Sequence, residues 1–149
     1  MPDSPLETYF TFFNEVGIIG QLSRTLLERH LPKGYLLPHF SVLNHLIRVR
    51  DGPTPLALAR AFQVPKTSMT HTLAGLERGG LIEMRQNPED KRSKCVWLMP
   101  AGRAFRDDAI AALAPDVARI SGQIDASRLT EIVPELVAIR KILDTDRNG

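Results

Sequence analysis

The sequence predicts a mainly α-helical chain carrying one small β-hairpin, and three observations support that class. Apolar residues recur three and four apart over most of the chain. The period changes to two only at residues 81–86 and 94–99, which are rich in β-branched, aromatic and other apolar residues. These two runs are joined by the seven-residue stretch NPEDKRS, which opens on the turn former Asn87-Pro88 and carries Lys91 and Arg92, with Lys94 just after it.

Length and composition bound the remaining choices. At 149 residues the chain has the length of one ordinary domain, so residues 1–149 are expected to fold as a single unit. With 43% hydrophobic and 24% charged residues, the composition is that of a soluble globular protein. The single cysteine, Cys95, excludes an internal disulfide framework and an all-cysteine zinc site, and suits a reducing cytoplasm. The opening MPDSPLE is acidic where a signal peptide is basic, and no apolar run approaches the length of a membrane span. The expected location is therefore the cytoplasm.

Taken in order, the first element is a long helix over residues 6–31. Its Tyr9, Phe10, Phe12, Phe13, Val16, Ile19, Leu22, Leu26 and Leu27 make an apolar surface wider than one core-facing stripe, so a second partner is expected against it. Gly17 and Gly20 are expected to interrupt it. After the break LPKGY, Pro38 opens a helix to about Val49 with Phe40, Leu43, Leu46 and Ile47 inward, and Asp51-Gly52-Pro53 turns the chain. Thr54 is a candidate N-cap for a short helix beginning at Pro55, with Leu56, Ala59 and Phe62 on one face and Leu58 and Ala61 beside them. After the polar turn at residues 63–65 a further helix starts at Lys66, with Met69, Leu73 and Leu76 inward and Gly79-Gly80 as its stop.

Two helical segments follow the hairpin. Pro100 starts one whose stripe is Phe105, Ala109, Ala112, Leu113, Val117 and Ile120, with a kink or restart expected at Pro115. The last covers residues 127–143, with more apolar residues than one face needs and with Pro134 bending it or marking its true start. Residues 145–149 are expected to fray. Apolar helices at both ends, over residues 6–31 and 101–143, point to a two-fold homodimer in which they interlock around a central part at residues 36–99.

Within that central part, the outer face of the helix from Lys66 carries Thr67, Ser68, Thr70, His71, Ala74, Gly75 and Arg78 in place of the long solvated charges of an ordinary outer face. Two short helices followed by a basic hairpin make a winged helix-turn-helix, whose physics is docking on nucleic acid. Short polar side chains allow a helix to approach base edges in a major groove about 12 Å wide. A cationic side chain at a hairpin tip reaches phosphate or the minor groove. The charge distribution agrees. Residues 60–106 hold nine basic and four acidic side chains, a net +5, which leaves −3 for the rest of a chain whose total is +2.

The order of elements and the stretch LERGGLIEMRQNPEDKRSKCVWLMPAGR resemble the MarR family of bacterial transcriptional regulators, and the resemblance extends over residues 6–143. Its most specific feature is the Asp-x-Arg of Asp90 and Arg92 at the hairpin tip, in the setting of a Gly-Gly helix stop and a second strand leading to Gly102. The resemblance implies that Arg92 contacts the minor groove, that Asp90 steadies the tip by ion pairing, and that Lys66, Ser68, Thr70 and His71 meet bases and phosphates. With Thr67, Arg78, Lys91 and Lys94 these make the expected DNA-binding set. It also implies a homodimer that binds a pseudo-palindromic operator, represses, and is released by a small aromatic or phenolic effector. Arg24, His39, Asn44 and His45 are the candidate lining of the effector pocket. Three positions depart from the family pattern: Gln63 stands where the turn usually has glycine, His71 where a longer basic residue is common, and Met99 where a threonine usually caps the next helix.

Other chemistry is less well supported. None of His30, His39, His45 and His71 has a second ligand at i+3 or i+4, so no metal or other cofactor is expected. Cys95 beside Lys94 has one feature of a reactive thiol, though a structural thiol on the strand is the plainer reading. No Gly-rich phosphate loop, nucleophile elbow, zinc-protease motif or carboxylate pair is present, so an enzyme is not expected. The alternative to DNA reading is a winged helix used for protein–protein contact.

Overall fold

The structure is a computed structural model and describes residues 4–147. Among these, seven helices and two strands follow in the order α1 (Pro5–Glu28), α2 (Leu37–Arg48), α3 (Pro55–Phe62), α4 (Lys66–Arg78), β1 (Ile82–Gln86), β2 (Lys94–Leu98), α5 (Pro100–Ala111), α6 (Ala114–Ser121) and α7 (Ala126–Asp146). The mainly helical class with one antiparallel hairpin is thus observed. The chain divides into two compact units, one ending at Ala112 and the other beginning at Leu113.

In the first unit the core is built by α2, α3, α4 and the hairpin. Leu43, Leu58, Leu76, Val42 and Val96 are its largest fully buried side chains, joined by Leu46, Met69, Leu73 and Ile82. The inward stripe of α4 is as expected from its spacing, with Thr72 added. Two other faces differ from expectation. In α2 the buried residues are Val42, Leu43 and Leu46, while Phe40 and Ile47 are only half-buried. In α3 the buried pair is Leu58 and Ala59, and Leu56 is exposed. An eight-residue helix has little more than two turns, so its spacing is compatible with either neighbouring stripe, and packing against α4 and the hairpin selects one.

Helix α1 is continuous through Gly17 and Gly20, where an added Cβ would meet nothing within 4 Å. A glycine lowers helix propensity by only about 1 kcal/mol, which a 24-residue helix absorbs. It ends at Glu28, three residues before the expected end, and Leu31 is buried beyond it. Ser4 caps its start by accepting the Glu7 N–H. Thr54 caps α3 as expected, accepting the Ala57 N–H at 3.1 Å.

The turn between α3 and α4 depends on Gln63, whose φ of 53° and ψ of 46° lie in the left-handed region. It is the one residue other than glycine with positive φ among the described residues. The β1–β2 register pairs Ile82 with Leu98 and Gln86 with Lys94. The hairpin is fixed to the α2–α3 loop by backbone bonds from Gly52 N to Val96 O and from Val96 N to Pro53 O. The Asp51 carboxylate adds to this by accepting the Gly52 and Leu98 N–H groups. Gly102, at the start of α5, is buried where a Cβ would run into the Leu81 carbonyl oxygen.

In the second unit, Pro115 sits in the first turn of α6 and marks a restart, one of the two outcomes expected for it. Pro134 lies inside α7 and is not its start, because the helix begins eight residues earlier, at Ala126. Thr145 and Asp146, expected to fray, belong to α7, while the same expectation for residues 148–149 lies outside the described residues. The Asp116 carboxylate is buried and accepts from Arg119 at 2.8 Å. Among the described residues no helix is long and apolar enough to cross a membrane.

Candidate nucleic-acid interface

Helix α4 is presented by its own packing. Met69, Thr72, Leu73 and Leu76 hold one side in the core, which leaves Lys66, Thr67, Ser68, Thr70, His71 and Arg78 exposed on the other. Its N-terminal turn has Pro65 as N-cap and no side chain capping its amides, so these N–H groups face outward beside short polar side chains. The Thr70 hydroxyl donates to the Lys66 carbonyl at 2.9 Å, which keeps its oxygen lone pairs available as acceptors.

Two residues assigned to the outer face sit elsewhere. Ala74 and Gly75 are half-buried, and a Cβ on Gly75 would lie 3.1 Å from His39 Nε2. The glycine therefore serves the close approach of α2 to α4, and the outer face is narrower than the sequence suggested. Arg78, twelve residues after Lys66, lies about 18 Å along the axis at ~1.5 Å rise per residue. It belongs to a separate cavity described below.

The hairpin tip is a closed network. The Asp90 carboxylate accepts the Arg92 backbone N–H at 3.0 Å and its Nε at 3.2 Å. These two interactions, the backbone one first, hold the Asp90 carboxyl below the ordinary carboxylate range. Around it, Asn87 accepts the Glu89 N–H and donates to Ser93, while Gln86 donates to the Lys91 carbonyl. The Arg92 side chain is 92% exposed, so Asp90 holds it through the backbone N–H and Nε while the rest of the side chain faces solvent. Lys91 and Lys94 are exposed on either side. Behind the tip, Arg85 lies over the Trp97 ring, 5.2 Å from its centre, and pairs with Glu83. Cys95 is buried on β2 opposite Arg85. All nine residues of the expected DNA-binding set are exposed, on α4 and on or beside the hairpin tip.

The four candidate effector residues are not brought together. His39 lines a cavity of about 330 Å³ with Lys33, Tyr35, His71, Gly75 and Arg78. Its Nδ1 accepts the Leu36 N–H at 2.9 Å, which leaves Nε2 to carry the proton of the neutral ring. Burial lowers the His39 pKa, and the positive charges of His71 and Arg78 act in the same direction. Tyr35 packs edge-on against both His39 and Phe105. Arg24 lines a different cavity, and neither Asn44 nor His45 lines either one. Asn44 accepts from Arg106 Nε at 3.1 Å, and His45 packs on Phe62, where burial lowers its pKa. Lys33 and Tyr35 were not legible as lining residues, since they fall in what reads as a mere break between helices. The one available signal was an aromatic residue four positions before His39.

A helix-turn-helix with an attached basic hairpin defines the winged-helix class. Residues 33–93, the part that holds the helix-turn-helix and the start of the hairpin tip, match the model of the MarR family. A crystal structure of a MarR family transcription regulator superposes with a TM-score of 0.71 at 25% identity, covering 97% of this chain and 96% of that one. The transcriptional regulator BldR from Sulfolobus solfataricus gives 0.72 at 19% identity over 91% and 99% of the two chains. A mutant MarR from E. coli complexed with operator DNA gives 0.69 at 21% identity over 92% and 99%. No curated protein matches the chain.

Proposed function

We propose that this chain is a homodimeric transcriptional repressor that binds a pseudo-palindromic operator through two winged helices and is released by a small aromatic or phenolic effector. The observation that carries the reading is the paired exposure of the α4 face and of Arg92, whose base is fixed by Asp90. One element is shaped for base edges and the other for a phosphate or a minor groove. The similar E. coli protein in complex with operator DNA supports DNA as the partner. Exposed Leu6, Tyr9, Phe10, Ile19 and Leu22 on α1 support a second copy as the partner of that helix. The cavity at His39 offers an effector a cationic wall from Lys33 and Arg78 and an aromatic one from Tyr35. Because it shares His71 and Arg78 with α4, its occupant acts on the reading helix directly. Half-sites lie about one helical turn apart, so a small change in the separation of the two α4 helices is enough to release DNA. The proposed location is the cytoplasm.

Titrating the protein against DNA from upstream of its own gene tests this. Affinity should fall by orders of magnitude between about 50 and 200 mM salt. Absent or salt-insensitive binding would overturn the reading.

A further inference from the structure

The cavity at His39 carries a charge that its own lining does not balance. Lys33 and Arg78 stand in its wall as two permanent cations, and no carboxylate lines it. Burial, and after it the charges of His71 and Arg78, lower the His39 pKa, as a positive local field does. Two glycines of α4, four residues apart and so on one face, keep the space open. A Cβ on Gly75 would lie 3.1 Å from His39 Nε2 and 3.8 Å from an Arg78 terminal nitrogen, so the imidazole and the guanidinium converge on the gap that this glycine leaves. A Cβ on Gly79 would collide with the Tyr35 hydroxyl. Neither glycine is demanded by the backbone: Gly75 lies inside the helix, where glycine weakens it, and Gly79 has an ordinary right-handed φ of −81°. Their missing side chains leave the His39 Nε2–H and the Tyr35 hydroxyl as donors beside the Lys33 ammonium and the Arg78 guanidinium.

We propose that this cavity takes the phosphate group of a small phosphate monoester, so that the effector of the proposed regulator is an aryl phosphate. The inference rests on the functional reading above for the role of the occupant, and on the cavity alone for its chemistry. Two permanent cations match a dianion, and a phosphate monoester carries about −1.5 to −2 charges at pH 7 on three acceptor oxygens. A monocarboxylate would neutralise one of the two cations and use fewer of the donors. A phosphodiester of DNA also carries a single charge, so the charge count favours a free monoester over the operator backbone as the source of the phosphate. The phosphate group fills only part of about 330 Å³, and the remainder suits a ring.

Calorimetric titration of the full chain without DNA provides the test, with phenyl phosphate as the ligand and its singly charged diester, methyl phenyl phosphate, as the counterpart with the same ring. Phenyl phosphate should bind at one site per chain, with the diester weaker by about tenfold or more, the loss expected for one charge-assisted contact. Lys33→Gln, at an exposed position between helices, should weaken phenyl phosphate by about tenfold and narrow its advantage over the diester. Tyr35→Phe, which removes only the hydroxyl, should weaken it by about two- to tenfold. Equal binding of the two ligands would assign the cavity to a phosphodiester such as the operator backbone and overturn the proposal. Unchanged affinity in Lys33→Gln, or no heat with phenyl phosphate at millimolar concentration, would overturn it as well. Failure of operator binding would instead overturn the functional reading and leave the site in place.

Discussion

The winged part and the terminal helices solve the burial problem in opposite ways. Helix α4 buries four of its 13 residues, and the hairpin behind it buries Ile82, Cys95 and Val96. Helix α1 buries only Leu27 of its 24 residues, and α7 buries none of its 21. Yet α1 and α7 are rich in large apolar side chains: Phe10 is 66% exposed and Ile142 is also 66% exposed. The winged part is therefore satisfied by contacts within its own unit, while α1 and α7 each carry exposed apolar surface. If the proposed function holds, DNA reading and self-association fall to different parts of the molecule and can be perturbed separately.

The largest effect is expected where burial is complete. Leu43→Ala removes a side chain with no exposed surface and should lower stability by about 3 kcal/mol in denaturant unfolding, with both DNA binding and association failing as the fold weakens. Phe10→Asp, on the exposed α1 surface, should instead weaken self-association more than tenfold in sedimentation. Fold stability measured at low concentration should then change by less than about 0.5 kcal/mol. If Phe10→Asp unfolds the chain, or leaves its association unchanged, the contrast between the two regions is wrong.

Arg92→Ala is next in size and divides the winged part itself. Its side chain contributes nothing to the core, so stability and association should be unchanged. DNA affinity should fall by about 1–3 kcal/mol, and the salt dependence of binding should flatten. Unchanged affinity would mean that the hairpin tip does not touch DNA.

Legibility in the sequence followed the same division. The hairpin, the stop at Gly79-Gly80, the inward stripe of α4 and the exposure of Lys66, Thr67, Ser68, Thr70 and His71 follow from local periodicity, and all are observed. Cavity lining is set by contacts between segments distant in sequence, and periodicity carries no such information. Hence Arg24 and His39, expected in one pocket, line two different cavities, and Gly75 faces His39. Asp51 is a further case. It reads as a turn residue, but its second hydrogen bond reaches 47 residues along the chain to Leu98.

A smaller effect links pH to the contact between α2 and α4. Burial keeps His39 neutral in the fold, below its ordinary value of 6.5. The unfolded chain therefore takes up the proton first as pH falls. The stabilisation is fully present above about pH 6.5 and is lost as pH falls through the lowered folded value. His39→Asn keeps an acceptor for the Leu36 N–H and removes the titration, so melting temperature should decline less between about pH 7 and pH 5 in the variant than in the parent. The decline that remains belongs in part to His45, which burial shifts in the same direction. An identical decline in both proteins would remove His39 from the pH response.

The smallest effect is expected at the turn that sets α4 against α3. Gln63 holds a left-handed backbone at a cost of roughly 1 kcal/mol that glycine does not bear. Part of that is offset, because Gln63 Nε2 donates to the Arg60 carbonyl at 3.0 Å and because glycine gives the unfolded chain more freedom. Gln63→Gly should therefore raise stability by a few tenths and by no more than about 1 kcal/mol, whereas Gln63→Val should lower it by more, since a branched Cβ is crowded at positive φ. Denaturation midpoints of the two variants distinguish backbone strain from loss of the side-chain bond. If strain dominates, glycine lies above the parent and valine below it; if the bond dominates, both lie below. Sedimentation should be unchanged in either case, because the turn belongs to the winged part and not to the association surface.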